Sequence, residues 1–239
     1  MGSVLLANRL FQKGNYKKKS RLVVFDCDGT LVDSAYAIIS CMQTACSNLG
    51  HLQPKKVDIR RTVGLPLDEA ITILLPSIKI NQINGVKNEF NKLYAMLKGR
   101  NKIHEPLYCG VEETLCSLKK AGWLLGVATG KSSNVLKSTL ENQNIDRYFI
   151  TLQTADLSVG KPDPDMLLKA MRDTGAEKKR TVMIGDTSYD MKMARNAGTS
   201  AIGVTWGYHS VEELYDSGAH SVVKTFSQIP LALENLFKK

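Results

Sequence analysis

Two aspartates, Asp26 and Asp28, stand two residues apart at the end of a short apolar run, Arg21 to Phe25, and Gly29 follows them. A carboxylate fixed at a strand end can attack phosphorus and form an aspartyl phosphate, dividing a difficult hydrolysis into two easier steps. In an extended segment residues i and i+2 face the same side. One carboxylate could then act as nucleophile while the other protonates the leaving oxygen and later activates water. Gly29 permits a turn that aims main-chain N–H groups at phosphate oxygens. Further along, Thr129 follows the run Leu124–Ala128, Asp186 and Asp190 follow Thr181–Ile184, and Lys161 lies in Gly160-Lys161-Pro162. Converging carboxylates repel, and a phosphate would add to the repulsion; Mg2+ resolves this by accepting carboxylate, water and phosphate oxygens together. Lys161 would add a point charge for phosphoryl oxygens and Thr129 a hydroxyl donor.

Taken singly, each of these residues has an ordinary explanation. An aspartate at a strand end is a common turn former, Thr129 or Asp190 could cap a helix, and Lys161 could be an exposed loop lysine. The ordinary explanations account poorly for the set, because every member falls where an open α/β sheet binds its ligands, at the carboxyl ends of strands.

The elements that must position this set are legible as short buried runs alternating with helical patterns. Arg21–Phe25, Leu124–Ala128, Thr181–Ile184 and Ser200–Thr205 read as strands, and Tyr148–Leu152 as a weaker one. Val111, Leu115 and Leu118 share a helix face, with Glu112 and Glu113 in the first turn and Gly122 past the end. Ser132 or Ser133 could cap a helix carrying Val135, Leu136 and Leu140. Thr187 to Asp190 resembles a capping box with Asp in place of Glu, closed by Gly198. The alternation predicts an α/β fold with a doubly wound parallel sheet.

Residues 35–103 interrupt it. Ala37 to Leu49, Leu67 to Leu75 and Ile83 to Leu97 carry apolar residues at helical spacing, bounded by Gly50 and Pro76. These residues are expected to form an all-helical cap domain over the Asp26–Asp28 loop, like a lid. The expected organisation is a basic tail at 1–20, a core from 21–34 and 104–239, and the helical block at 35–103. His104 and Glu105, at the return from the block, read as hinge residues rather than ligands.

Composition sets the wider limits. Of 239 residues 43% are hydrophobic and 23% charged, the balance of an ordinary globular protein. No apolar run approaches the roughly 18 residues that span a bilayer, so no membrane partner is expected. Five scattered cysteines without a CxxC pair read as reduced thiols of a cytoplasmic protein. The net charge of +9 invites a nucleic-acid reading, but six of those charges lie in residues 1–21, which hold no acid, and the rest carries +3. The excess reads as a tail, which leaves organelle targeting open and argues against a nucleic-acid site on the body. Monomer and dimer are not distinguished.

The strand-end residues resemble the haloacid dehalogenase superfamily, in the subfamily whose helical cap follows the first strand. The resemblance runs from about Arg21 to at least Tyr208. Its four motifs stand in order as Asp26-Cys27-Asp28-Gly29-Thr30-Leu31-Val32-Asp33, Val127-Ala128-Thr129-Gly130-Lys131-Ser132, Gly160-Lys161-Pro162 and Gly185-Asp186-Thr187-Ser188-Tyr189-Asp190. It implies a Rossmann-like core, Asp26 as nucleophile and Asp28 as acid and base, with the Asp28 carbonyl also on Mg2+. It further implies Cys27, Gly29, Thr129, Gly130 and Lys161 around the phosphate, Asp186 on the metal, and Asp190 on it directly or through water. Dehalogenating and phosphonate-cleaving members look different at the position of Asp28, so those activities are not expected.

Gly64-Leu65-Pro66-Leu67-Asp68-Glu69-Ala70 and Pro106-Leu107-Tyr108-Cys109-Gly110-Val111 look most like phosphoglycolate-phosphatase-type members. The implied activity is hydrolysis of a small phosphorylated metabolite, phosphoglycolate or a sugar phosphate. A phosphomutase of the beta-phosphoglucomutase kind, or a pyrophosphatase, would share the core, and a non-catalytic binding module is the rival of another class. Arg60 and Arg61, with Gly64, could read a substrate carboxylate or second phosphate, or the arginines could be a solvated helix face.

Deleting residues 1–20 tests the tail. Any nucleic-acid affinity should fall with salt and vanish on deletion; affinity that survives deletion in a filter-binding titration would place a site on the body instead.

Overall fold

A computed structural model describes residues 20–99 and 105–238. The basic segment 1–19 and His104 lie outside the described residues. Six parallel strands form one sheet: β1 Arg21–Phe25, β2 Trp123–Thr129, β3 Thr151–Thr154, β4 Thr181–Gly185, β5 Ser200–Val204 and β6 Ser221–Val223, in the order β3-β2-β1-β4-β5-β6. β1 is therefore interior, with Phe25 beside Val127 on one side and Ile184 on the other. That position puts the residue after Phe25 at the point where the chain order reverses across the sheet.

Strand periodicity sorts the two faces. Val23 and Phe25, with Leu125, Val127 and Ile184, bury against α5 (Val111–Lys120), α6 (Ser133–Asn142) and α10 (Ile229–Phe237). Leu22 and Val24, with Ala128 and Met183, bury against α7 (Asp165–Thr174), α8 (Ser188–Ala197) and α9 (Val211–Asp216). A sheet covered on both faces explains why its strands read as continuous apolar runs and not as alternating ones. The expected doubly wound architecture is present.

Between β1 and α5 lie α1 (Ala35–Asn48), α2 (Lys56–Thr62), α3 (Leu67–Leu74) and α4 (Ile80–Gly99). Met42, Ala45 and Cys46 of α1, Ile59 of α2, Ile71 of α3 and Val86 of α4 close a hydrophobic cluster of their own. A second small cluster joins Ala37, Cys41 and Tyr94 to Val135 of α6. The capping box at the start of α8 is formed: the Asp190 N–H donates to the Thr187 hydroxyl, and the Thr187 N–H donates to the Asp190 carboxylate. Gly198 ends that helix at a positive φ of 72°.

The chain departs from the pattern in a few places. Tyr148 ends a 3-10 turn, Asp146–Tyr148, and the strand begins only at Thr151. Tyr148 and Phe149 are apolar because they plug the core from that turn. Ser132 stands at the α6 N-cap but makes no side-chain cap bond; the Ser133 N–H is taken by Asp156. α2 gives little periodic signal because only Ile59 and Thr62 of its seven residues are buried. β6, at three residues, is defined by its pairing with β5 and not by its own composition.

Ile71 is fully buried in the helical cluster. Ile71→Ala should lower stability by about 2–5 kcal/mol, seen as a lower urea midpoint at unchanged m-value; an unchanged midpoint would show that this cluster is not packed as described.

Candidate active site

The carboxyl ends of β1, β2 and β4 meet, and the predicted residues stand there. The Asp26 N–H donates to the Ile184 carbonyl at 2.9 Å, so β1 is still paired where its carboxylate is presented. Lys161, fully buried, enters from the loop before α7 with Nζ 2.7 Å from Asp26 Oδ1 and 2.6 Å from Asp190 Oδ1. Asp190 Oδ2 accepts from the Thr187 N–H and hydroxyl, so one carboxylate caps α8 and pairs with Lys161. Asp186 accepts the Thr30 hydroxyl at 2.7 Å and the Tyr208 N–H at 2.9 Å.

Asp26, Asp186 and Asp190 each bring an oxygen within 4.8 Å of the others, all buried. Asp26 Oδ2 has no hydrogen-bond partner. Burial raises the Asp26 pKa to about 7, with Lys161 opposing and Asp190 adding to the rise. Burial likewise holds Asp186 well above the carboxylate range, helped by Asp26 and Asp190. Burial works against the charge of Lys161, but Asp190 and Asp26 outweigh it and keep its pKa above the usual lysine value. One ammonium among three buried carboxylates leaves negative charge uncompensated. Three buried carboxylates with an oxygen each in mutual reach fit a hard divalent cation.

Asp28 is held differently. Its Oδ1 lies 2.7 Å from Lys131 Nζ, outside the three-carboxylate cluster, so its side chain is not among the gathered oxygens. Lys131 also stands 3.0 Å from the Tyr94 hydroxyl and 3.6 Å from Glu105 Oε1, and Tyr94 donates to Glu105. Burial opposes the charge of Lys131, but Asp28, then Tyr94 and Glu105, raise its pKa well above normal. Glu105, read from sequence as a hinge residue, is buried in this network. Lys131, Glu105 and Tyr94 are the site residues that sequence reasoning missed. Lys131 had a signal, since it follows Thr129-Gly130 at a strand end; Tyr94 and Glu105 had none, lying on a helix face and in a loop.

The other expected residues are distributed as follows. Thr129 is buried and its hydroxyl accepts the Lys131 N–H at 3.2 Å. Cys27 points into the apolar core, and burial raises its thiol pKa well above normal, so only its main chain can address a ligand. Gly29 has φ 81°, and a Cβ there would overlap Asp186 and the Tyr208 ring. A Cβ on Gly130 would lie 2.8 Å from the Leu65 carbonyl, so the α2–α3 connection rests directly on this loop. Gly64 lines the cavity between the helices and the strand ends; Arg60 and Arg61 are exposed and do not. The Arg61 guanidinium pairs with Glu213 of α9, while its carbonyl accepts the Tyr189 hydroxyl. Of the two readings left open for Arg61, a substrate contact or a solvated helix face, the exposed position and the pair with Glu213 favour the second.

The five cysteines are free, and among the described residues no helix is long and apolar enough to cross a membrane.

Residues 23–204 match the sequence model of the haloacid dehalogenase-like hydrolases. A Dickeya dadantii protein named "Probable phosphatase IndB" is 37% identical over 91% of this chain and 95% of its own. An Agrobacterium fabrum phosphoglycolate phosphatase is 29% identical over 92% and 95%, and the Bacillus velezensis pyrophosphatase PpaX 30% over 82% and 88%. A crystal structure from Bacteroides fragilis, described as a haloacid dehalogenase-like hydrolase, superposes with a TM-score of 0.82 at 29% identity. That superposition covers 88% of this chain and all of the other.

The raised pKa of Asp26 has a stability consequence when divalent ions are chelated. Its folded value, about 7, lies above the ordinary 3.8. Its contribution is therefore fully present below pH 4 and lost as pH rises towards 7. Asp26→Asn cannot ionise, so in EDTA at pH 7 it should be more stable than the parent by an amount on the order of a few kcal/mol. The gap should close towards pH 4 in urea titrations; a gap that grows on acidification would contradict the assignment.

Proposed function

The chain belongs to the haloacid dehalogenase-like hydrolases, and we propose that it is a Mg2+-dependent phosphatase that hydrolyses small phosphomonoesters through a phospho-aspartate on Asp26. The observation that carries this reading is the buried, partnerless Oδ2 of Asp26 at the end of the interior strand, beside Lys161 and two further carboxylates. A nucleophile needs a free oxygen on a firmly held backbone, and the partnerless Oδ2 with the Asp26 N–H bonded to Ile184 supports that role.

The roles follow from what each side chain touches. Asp26, Asp186 and Asp190, with the main-chain carbonyl of Asp28, would hold Mg2+, which supplies neutralisation of the phosphoryl charge. Lys161 orients Asp26 and offers its ammonium to a phosphoryl oxygen. Thr129, with the main-chain N–H groups of Cys27, Gly29 and Gly130, would bind the remaining oxygens as charge shifts during transfer. Asp28, whose Oδ1 faces Lys131 at the cavity wall, would give a proton to the leaving oxygen and then take one from water. Helices α1–α4 would act as the cap: their α2–α3 connection rests on Gly130 and limits access of bulk water to the transfer.

A pyrophosphatase is the second reading, favoured by the similarity to PpaX. Release of inorganic phosphate from phosphomonoesters and from pyrophosphate, with and without Mg2+, separates the two. Turnover of monoesters should require Mg2+, disappear in Asp26→Asn, and fall by about 10²–10⁴ in kcat for Asp28→Asn. Hydrolysis of pyrophosphate alone would select the second reading, and no turnover by folded protein would sink both.

A further inference from the structure

Resting on the phosphatase reading, we propose that the substrate's leaving group is a bulky, mainly apolar alcohol, not a fragment carrying a second carboxylate or phosphate. A cavity of about 470 Å³ lies between Asp28 and the helical block. Asp28 and Gly130 belong to its wall, so an ester whose phosphorus faces Asp26 must send its alcohol into this space. Cavities of about 300–1,000 Å³ take drug-sized ligands; a glycolate would fill only a small part of this one.

The wall chemistry narrows the choice further. Ile38, Met42, Ile59, Val63, Leu65 and Phe90 supply an aliphatic and aromatic lining from α1, α2, α4 and the α2–α3 connection. Two lysines also line it, and both are engaged: Lys131 with Asp28 at 2.7 Å, Lys87 with Asp68 at 2.8 Å. The arginines of α2 stand outside the lining, Arg61 tied to Glu213. Among the described lining residues, each cation thus already faces a carboxylate. A second anionic group on the substrate would have to break an ion pair or rely on neutral donors of a mainly apolar wall, such as Asn91, Asn134 and Ser138, which compensate a buried charge less well than a cation does. An alkyl or aryl group loses no such partner and gains by leaving water.

The experiment compares kcat/KM for phosphate release from ethyl, butyl, hexyl and benzyl phosphate with that from phosphoglycolate and pyrophosphate. The apolar series should rise with size, mainly through KM, and benzyl phosphate should exceed phosphoglycolate and pyrophosphate by at least about tenfold. Phosphoglycolate or pyrophosphate equal to or better than benzyl phosphate would overturn the proposal while leaving the phosphatase intact. Because turnover would also fail if the phosphatase reading were wrong, binding of hexylphosphonate and carboxymethylphosphonate is measured by calorimetry in parallel. Tighter binding of hexylphosphonate supports the apolar chamber whatever the turnover; equal or tighter binding of carboxymethylphosphonate overturns it. Ala95 lines the cavity yet is exposed, so Ala95→Trp should fold normally and occupy part of the space. It should lower kcat/KM for hexyl phosphate at least tenfold more than for ethyl phosphate; equal losses would place the alcohol elsewhere and overturn the assignment.

Discussion

The ammonium of Lys161, buried between Asp26 and Asp190, is the contact on which the arrangement of the strand ends depends. Without it three carboxylates at the centre of a covered sheet would face one another with no compensation, and the desolvation of each would be prohibitive. The pair draws the loop before α7 over the ends of β1 and β4. It also makes Asp190 serve twice, as the cap of α8 and as the second partner of the lysine. Such a cluster is no source of net stability, because removing charges from water costs about what their attraction returns. Its effect is positional. It holds Asp26 Oδ1 and leaves Oδ2 without a hydrogen bond.

A second buried lysine divides the labour between the two aspartates of the first loop. Lys131 takes Asp28 away from the carboxylate cluster and ties it to Glu105 and Tyr94. Tyr94 lies on α4, Lys131 at the end of β2, and Glu105 on the segment that returns from the helices to the sheet. The acid that would serve the leaving group is thus in contact, through one ammonium, with the helical block that shapes the leaving group's chamber. Two aspartates with the same side chain acquire different surroundings: one among carboxylates at a closed strand end, the other at the wall of a cavity.

Close backbone approaches do the remaining work. A side chain at Gly29 would strike Asp186 and Tyr208, and one at Gly130 would strike the α2–α3 connection. Both positions let main chain come within reach of a bound phosphate while carboxylates or carbonyls crowd the other side. The hydrophobic sorting of β1, with Val23 and Phe25 to one face and Leu22 and Val24 to the other, packs this strand on both sides. Precision at the loop is inherited from that packing.

The amino-acid sequence by itself determined the elements and the inventory of the site. Apolar runs, caps and helical spacing are local signals, so the parallel sheet, the helical insertion, the strand-end positions of Asp26, Asp28, Thr129 and Asp186, and the places of Lys161 before one helix and Asp190 in the first turn of another were legible. Where local signals thin out, reading failed: Tyr148 and Phe149 are apolar to plug a core from a turn, α2 buries only two side chains, and β6 is defined by its neighbour. Tertiary structure alone decided which charge meets which. That Lys131 holds Asp28, that Glu105 is buried beside Lys131 and Tyr94, and that Arg61 turns to Glu213 are contacts across long stretches of chain. No periodicity encodes them, because an ion pair depends on distance and burial in space, and both exist only once the helices have closed on the sheet.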